Sequence, residues 1–356
     1  MATDSTIRAP MYSRQLRKFG LMALVTLFAL ILLVIYLMPF GNMVTVSLRD
    51  QAGMSQTQDS SILPMMPVTF NYEGTDYPVY EVPLPDGTTK ELALVKATRR
   101  SSDFVDPTDP GAGLITWEGN WRQLTAVQEL APRWANFTEA WDKIDFPRLF
   151  FNTLAIATFG VIGTLLSCIS VAYAFARFPI PGKNILFIIL IGTIILPQQA
   201  TLIPAYLFFA SIGWVGTWLP LIIPHFFANA YNVFLLRQYF LTLPKELDEA
   251  AMIDGAGPFR ILTQVIIPQS WPAIVAVAIF HFVFAWNDFF SPLIYLLGKP
   301  DLQPISVGVQ IFNFQYGPRP ELVQATSLMA MVLPIIIFFA AQRVFMRGVV
   351  ITGVEK

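Results

Sequence analysis

The sequence predicts an all-α polytopic membrane protein, with six transmembrane helices and a small β-containing extracytoplasmic insert between the first and the second. Three observations carry this reading. Of 356 residues, 54% are hydrophobic and 13% charged, with a mean hydropathy of +0.55, whereas a soluble domain carries about 25% charged residues. Several charge-free runs reach the ~20 apolar residues that a helix needs to cross a bilayer. One stretch, residues 49–148, is polar and acidic against everything around it.

Phe19 to Leu48 is free of charge, far longer than the apolar core of a signal peptide, and followed by no small-x-small cleavage site, so it reads as a retained first span. Arg14, Arg17 and Lys18 ahead of it hold the N-terminus in the cytoplasm by the positive-inside rule. Leu149 to Ala176 is the second span, closed by Arg177. Asn184 to Leu236 is about twice the length of one span, and Gly213, Gly216 and Pro220 punctuate it, which predicts a helical hairpin of spans three and four. Ile274 to Leu297, interrupted only by Asp288, is the fifth span, and Ala325 to Gln342 the sixth. The division is then a cytoplasmic N-terminus 1–18, a first helix 19–48, an extracytoplasmic insert 49–148, a five-helix core 149–345 and a cytoplasmic tail 346–356, in a cell (inner) membrane.

Charge placement agrees with this topology. Segments assigned inside hold 12 Lys/Arg and 6 Asp/Glu, those outside 11 and 17. The outside basic residues lie mostly in the insert, and loops beyond about 60 residues translocate largely regardless of charge. Within the insert, Tyr77 to Lys96 reads as two β-type runs joined at Asp86-Gly87, a hairpin signal. Trp134 to Arg148 mixes Trp134, Phe137, Trp141 and Ile144 with acids, the pattern of an amphipathic helix at the outer interface.

Composition excludes several functions. The balance of 23 basic and 24 acidic residues leaves no electrostatic footprint for nucleic acid. The single cysteine, Cys168, excludes an internal disulfide framework and a cysteine-cluster metal site. His225 and His281 sit in apolar runs and read as helix-packing residues. No convergent nucleophile, base and metal-ligand set is present, so neither a catalytic site nor a metal or cofactor is expected.

One stretch, Leu243 to Pro268, carries mechanism. Pro244 suits the first turn of a helix, and Glu246, Asp248 and Glu249 complement its positive end. Gly255 can take the left-handed conformation that ends it, Pro258 starts a second helix, and Pro268 limits that helix. Ala250 and Ala251 leave little side-chain bulk, so another surface can approach closely.

Glu249-Ala250-Ala251, then three residues, Gly255, nine residues and Val265-Ile266-Ile267-Pro268 resemble the EAA signature of the membrane subunits of binding-protein-dependent ABC importers. Val265 and Ile267 stand where Ile and Leu are usual, and both keep the helix end apolar. The runs Ala172 to Arg177 with Gly182, Phe234 to Phe240, Ala285 to Phe290 and Gln342 to Gly348 are similar to those of carbohydrate-uptake permeases of maltose type, in particular the second permease of the pair. The resemblance covers Phe137 to the C-terminus and the first span, and leaves out most of Asp50 to Ala135.

The resemblance implies a type I ABC importer fold and import of a sugar, an oligosaccharide or related carbohydrate. It also implies a second permease, two ATP-binding subunits docked on the EAA loop 243–268, and an extracytoplasmic sugar-binding protein. Glu249, Ala250, Ala251, Asp254 and Gly255 would then couple to the ATPase, with Ala250 and Ala251 facing its groove. The loop between spans five and six, Gly298 to Leu322, would face outward and offer Phe312, Asn313, Phe314, Gln315 and Tyr316 to the binding protein. No glycine-rich phosphate loop of P-loop spacing is present, so ATP hydrolysis falls to partner subunits.

Gln198 and Gln199, with Thr201 beside Pro197 and Pro204, read either as lining of a translocation path or as polar glue between spans. Asn287 and Asp288 are the other candidates for the path. A carboxylate in a membrane costs about 2.5–3.5 kcal/mol on insertion scales, so Asp288 either caps the break imposed by Pro292 or serves a substrate or ion. The competing function is an ion-coupled secondary transporter using Asp288. It calls for a carboxylate relay, and Asp288 is the only acid in any predicted span.

Overall fold

Helices dominate the computed structural model, which describes residues 11–50, 63–84, 87–98, 100–314 and 317–351, with side chains at all of these except 11–17, 198–199 and 344–351. The main helices are α1 (Met11–Ser47), α2 (Ala135–Lys143), α3 (Phe146–Arg177), α4 (Lys183–Gly192), α5 (Gln198–Ser211), α6 (Ala230–Thr242), α7 (Glu246–Ile253), α8 (Trp271–Asn287) and α9 (Pro320–Ile351). Four described helical stretches are long and apolar enough to cross a membrane: Lys18–Ser47, Phe146–Arg177, Leu219–Thr242 and Pro320–Arg343. The number reaches six if two bent pairs each count as one span.

The chain divides into two compact units, residues 1–136 with 320–325, and residues 137–319 with 326–356. In the first, β1 (Met65–Pro67) pairs with Gln128–Leu130, and β2 (Thr69–Tyr72), β3 (Thr75–Pro83), β4 (Thr89–Lys96), β5 (Ser101–Val105) and β6 (Ile115–Glu118) form an antiparallel sheet in sequence order. Alternation sends neighbouring side chains to opposite faces. Tyr80, Val82, Leu92, Leu94 and Phe104 pack with Trp117 and Trp121, while Val79, Ala93 and Val105 pack with Phe70, Tyr77 and Val127. Both faces are therefore covered. Val79 pairs with Ala93 across the β3–β4 hairpin, and Gly87 at its turn has φ +83°; Asp86 lies outside the described residues.

The two ends of this excursion from the helices are tied together. Arg133 N donates to Leu48 O at 2.8 Å, and Asn136 Nδ2 donates to the carbonyls of Ser47 and Arg49 at 2.8 Å each. The Ser47 carbonyl at the end of α1, which lacks a helical donor, is thus satisfied by the chain that returns from the sheet, while those of Thr45 and Val46 accept from Leu48 N and Arg49 N. Within the sheet, Asp106 is buried and accepts from Lys90 Nζ, Thr108 N and Thr108 Oγ1, and these bonds hold its carboxyl down to about 2. A depressed carboxyl stabilises the fold above its unfolded value near ~3.9 and loses that contribution as pH falls through the folded one. Acid should therefore open β4–β5 first between about pH 4 and about pH 2, and Asp106→Asn should abolish that step in hydrogen exchange of the full chain. An unchanged acid transition would show that Asp106 does not set it.

The second unit is built around α3, which packs against α6 and α8. Cys168, Ile169, Ala172 and Tyr173 meet Val233, Leu236 and Phe240 from α6 and Ile274 and Val277 from α8. Small residues permit the approach. A Cβ on Gly163 would lie 2.6 Å from the Phe226 ring, and one on Gly160 would lie 2.9 Å from His281 Nε2.

The hairpin expected over Asn184 to Leu236 differs in detail. Its turn is present, with Gly213 at φ +73° and Gly216 at φ +83°, but both arms are broken. Pro197, Pro204, Pro220 and Pro224 remove backbone donors, and one arm divides into α4, a short 3-10 turn and α5, the other into Leu219–Ile222, a 3-10 turn and α6. The fifth apolar run also stops early. α8 ends at Asn287, and Phe290–Tyr295 follows as a separate short helix.

Candidate functional site

The stretch Leu243 to Pro268 folds as a helix, a tight turn and a second helix. α7 ends in a hydrogen-bond pattern that requires a left-handed residue: Gly255 N donates to Met252 O at 3.0 Å, and Ala256 N to Ala251 O at 2.9 Å. This is a Schellman closure, and Gly255 takes φ +78° within it. Ala251 and Ala256, the two positions that this motif brings together, are each half-buried against the Cys168 to Val277 cluster. Pro258 then opens the next helix, which runs through a π-turn at Leu262–Ile266 to Gln269, bent 82° from α8.

This geometry separates the two alanines. Ala250 is exposed, but Ala251 turns inward and packs on the helices. The expectation that both face outward fits Ala250 more fully than Ala251, which is half-buried against the core cluster. The outward face instead carries Glu249, Ala250, Asp254 and Gly255 with two large apolar side chains, Ile253 at 87% exposure and Phe259 at 78%.

Sequence reasoning named Arg177 as the close of a span and Asp248 as a helix-start charge, but did not bring the two together as the pair that roots this loop. Arg177, the last residue of α3, lies with its Nε 2.7 Å from Asp248 Oδ2, and its Nη2 donates to Leu243 O at 3.0 Å. Both side chains are buried, at 6% and 11% exposure. Burial pushes the Asp248 carboxyl up, against the pull of Arg177 and with a smaller push from Glu249. The ion pair therefore fixes position more than it adds stability, as buried pairs commonly do. The available signal was the acidic residue on the inward side of α7, one position before Glu249, with an arginine ending an apolar run.

The segment between α8 and α9 is anchored to the start of α3. Asn152 Nδ2 donates to the carbonyls of Asp301 and Gln303, and Thr153 Oγ1 accepts from Ile305 N. Trp218 Nε1 donates to Leu302 O at 2.8 Å. Phe312 is 0% exposed, so its expected contact with a binding protein is corrected: its side chain is buried within the fold. Asn313 is exposed and Phe314 is 84% exposed, while Gln315 and Tyr316 lie outside the described residues.

The four residues suggested for a path do not form one group. Gln198 and Gln199 begin α5, and their side chains lie outside the described set. Asp288 Oδ1 accepts from Ser291 N at 3.2 Å, which caps the short helix after the break. Asp288 also borders a cavity of about 20 Å³, room for one water, beside Thr153 and His225. The His225 and His281 rings pack edge to face, 4.4 Å apart. Asn287 points elsewhere, into a cavity of about 390 Å³ with Trp286, Ser306 and Met331. Among the described residues, no group of three or more His, Cys, Asp or Glu could hold a metal ion.

A family model described as "Binding-protein-dependent transport system inner membrane component" matches residues 163–350, which contain α7, its turn and the Arg177–Asp248 pair. The chain belongs to this family. The osmoprotective compounds uptake permease protein GgtD of a Synechocystis species is 33% identical to this transport component over 260 residues, 71% of the chain and 85% of the relative. The alpha-glucoside transport system permease protein AglG of Rhizobium meliloti is 32% identical over 62% of the chain, which spans 60% of that relative. A solved bacterial ABC transporter involved in importing the acidic polysaccharide alginate aligns at a TM-score of 0.63 and 20% identity, over 94% of the chain and 99% of its own. This component therefore shares the permease fold. It is a membrane transport subunit.

Proposed function

We propose that this permease carries a carbohydrate across the inner membrane as one of a pair, driven by ATP hydrolysed in two separate subunits docked on the 243–268 loop, with sugar delivered by an extracytoplasmic binding protein. The observation that carries this reading is the helix, Schellman turn and helix of that loop. Its outer face is acidic and apolar, and its inner face is locked by Arg177–Asp248. Such a face suits a partner groove that is apolar with basic margins. The name of AglG, an alpha-glucoside transport permease, supports the substrate class.

Six spans follow if each bent helix pair crosses once, and both termini then lie in the cytoplasm, in agreement with the excess of Lys/Arg on the assigned inner segments. The loop would be cytoplasmic, while the sheet of residues 65–130 and the exposed Asn313 and Phe314 would lie outside, available to the binding protein or the partner permease. Uptake in proteoliposomes holding the whole complex tests the proposal. Sugar should accumulate only with ATP on the loop side and binding protein on the other, and binding protein should stimulate hydrolysis. Uptake that follows an ion gradient without the ATPase subunits would instead establish the secondary transporter built on Asp288.

A further inference from the structure

Within the second unit, positive charge gathers where α4 begins and α6 gives way to α7. Lys183 opens α4, Arg237 lies on α6, and Lys245 stands just ahead of α7. Among the described residues, the charges that act on Lys183 are those of Arg237 and Lys245, both positive. Lys183 Nζ donates to the Phe178 carbonyl at 3.2 Å, and Arg237 holds its guanidinium over the Phe187 ring, 4.1 Å from the centroid. Phe187 lies one turn on from Lys183 and packs against Phe175 and Phe234, so the ring is a fixed platform. No carboxylate neutralises this cluster. Asp248 is taken by Arg177, and Glu246 and Glu249 are exposed on α7. Arg237 Nε is buried and has no hydrogen-bond partner among the described residues.

A buried donor without an acceptor is costly, and a ring under a guanidinium covers its face while leaving the in-plane N–H groups open. The cluster therefore lacks an acceptor that carries negative charge and reaches inward to Arg237. The surfaces beside it are apolar: Ile185, Leu186, Ile188 and Ile189 on α4 and Phe234 and Leu241 on α6 are all exposed. An occupant has to combine an anionic head with apolar cover. A phosphate on acyl chains does both, since phosphate takes arginine in a two-pronged contact and lysine as a point charge. Basic pockets between membrane helices on the cytoplasmic side hold lipid head groups in this way. We propose that Lys183, Arg237 and Lys245 bind the phosphate of an anionic phospholipid, whose acyl chains lie on the exposed apolar faces of α4 and α6.

The inference rests on the proposed cytoplasmic placement of the 243–268 loop and not on the cargo. The assembled complex is purified and its bound lipid read by native mass spectrometry, with phosphatidylglycerol and phosphatidylethanolamine as probes. Wild type should keep phosphatidylglycerol in preference. Arg237→Gln should lower that retention about fivefold, the effect of roughly 1 kcal/mol for one cation. Lys183→Gln combined with Arg237→Gln should remove the preference, while Arg237→Lys, which keeps the charge, should retain most of it. Assembly should stay intact in all three. Inorganic phosphate in excess should not displace the lipid, because it brings no acyl chains; displacement would assign the cluster to the free anion and overturn the proposal. Unchanged retention in the double variant would also overturn it. So would loss of a partner subunit from Arg237→Gln with the lipid still bound, which would make the cluster a contact for a protein carboxylate. Retention is read without ATP or sugar, so a complex that binds the lipid yet imports no carbohydrate would defeat the import reading alone.

Discussion

Replacing Arg177 with Met should uncouple the transporter while leaving the spans inserted. Arg177 joins α3 to both ends of the α7 root, through Asp248 and the Leu243 carbonyl. Removing one member of a buried pair leaves the other charge without a partner, at a cost of about 3–5 kcal/mol. That cost is avoided if α7 swings outward and takes Asp248 into water, so the loop loses its register on the core. Asp248→Asn should do less harm, because burial already favours the neutral carboxyl there. By the linkage sign, a raised carboxyl is most at ease in the folded loop at low pH and becomes a burden as pH rises through its folded value. Hydrogen exchange of α7 in Arg177→Met should therefore quicken as pH rises, beyond the intrinsic trend, and Asp248→Asn in that background should remove the excess. Paired Arg177→Met and Asp248→Leu should recover the fold, since an apolar pair replaces a buried ion pair at little cost, yet should not recover uptake if the pair transmits motion. Wild-type uptake in Arg177→Met would contradict this role.

Gly255→Val is the second large effect. The added side chain has open space, with no heavy atom within 4 Å of its Cβ, so packing does not decide the outcome. The backbone does: φ is +78° there, a region that costs a β-branched residue of order 1–3 kcal/mol. The turn must then open, the Ala256 to Ala251 bond is lost, and the exposed Ile253 and Phe259 change their relative orientation. Uptake should fall by at least about tenfold, the equivalent of roughly 1.4 kcal/mol, with membrane abundance unchanged. Gly255→Asn, a residue that tolerates the left-handed region, should retain much of it. Equal activity in the valine and asparagine variants would separate the turn from coupling. Glu249→Lys tests the neighbouring charge: it should lower uptake, and a reciprocal acidic change in the ATPase groove should restore part of it.

How much was legible in the sequence follows from how local each signal is. Pro244, Gly255 and Pro258 act on their own backbones, so the helix, turn and helix of residues 243–268 could be read directly. The charge-free run ahead of Arg177 likewise reads as one long helix, because nothing in it removes a donor. Apolar length alone did not show the breaks inside the arms of Asn184 to Leu236, where the prolines lie, or the early end of α8 within Ile274 to Leu297, at Asn287, Asp288 and Pro292. The inward turn of Ala251 and the burial of Phe312 depend on which face meets the core, and a three-residue motif carries no information on that. The Arg177–Asp248 pair was hidden because its two members are distant in the chain and each looks ordinary at its own position. Asn287 and Asp288 are adjacent but serve different cavities, a division that only the chain's turn at the end of α8 creates.

The central claim is that the outer face of α7 and its turn docks the ATPase. Cys168 is the sole cysteine and is fully buried, so a Cys168→Ser background can carry single cysteines at positions 250, 251 and 253 for cross-linking to the ATPase subunit in the assembled complex. The account predicts cross-links from 250 and 253, none from 251, and release of the first two when ATP is hydrolysed. Cross-linking from 251 equal to that from 250, or none from any of the three in a complex that still transports, would contradict it.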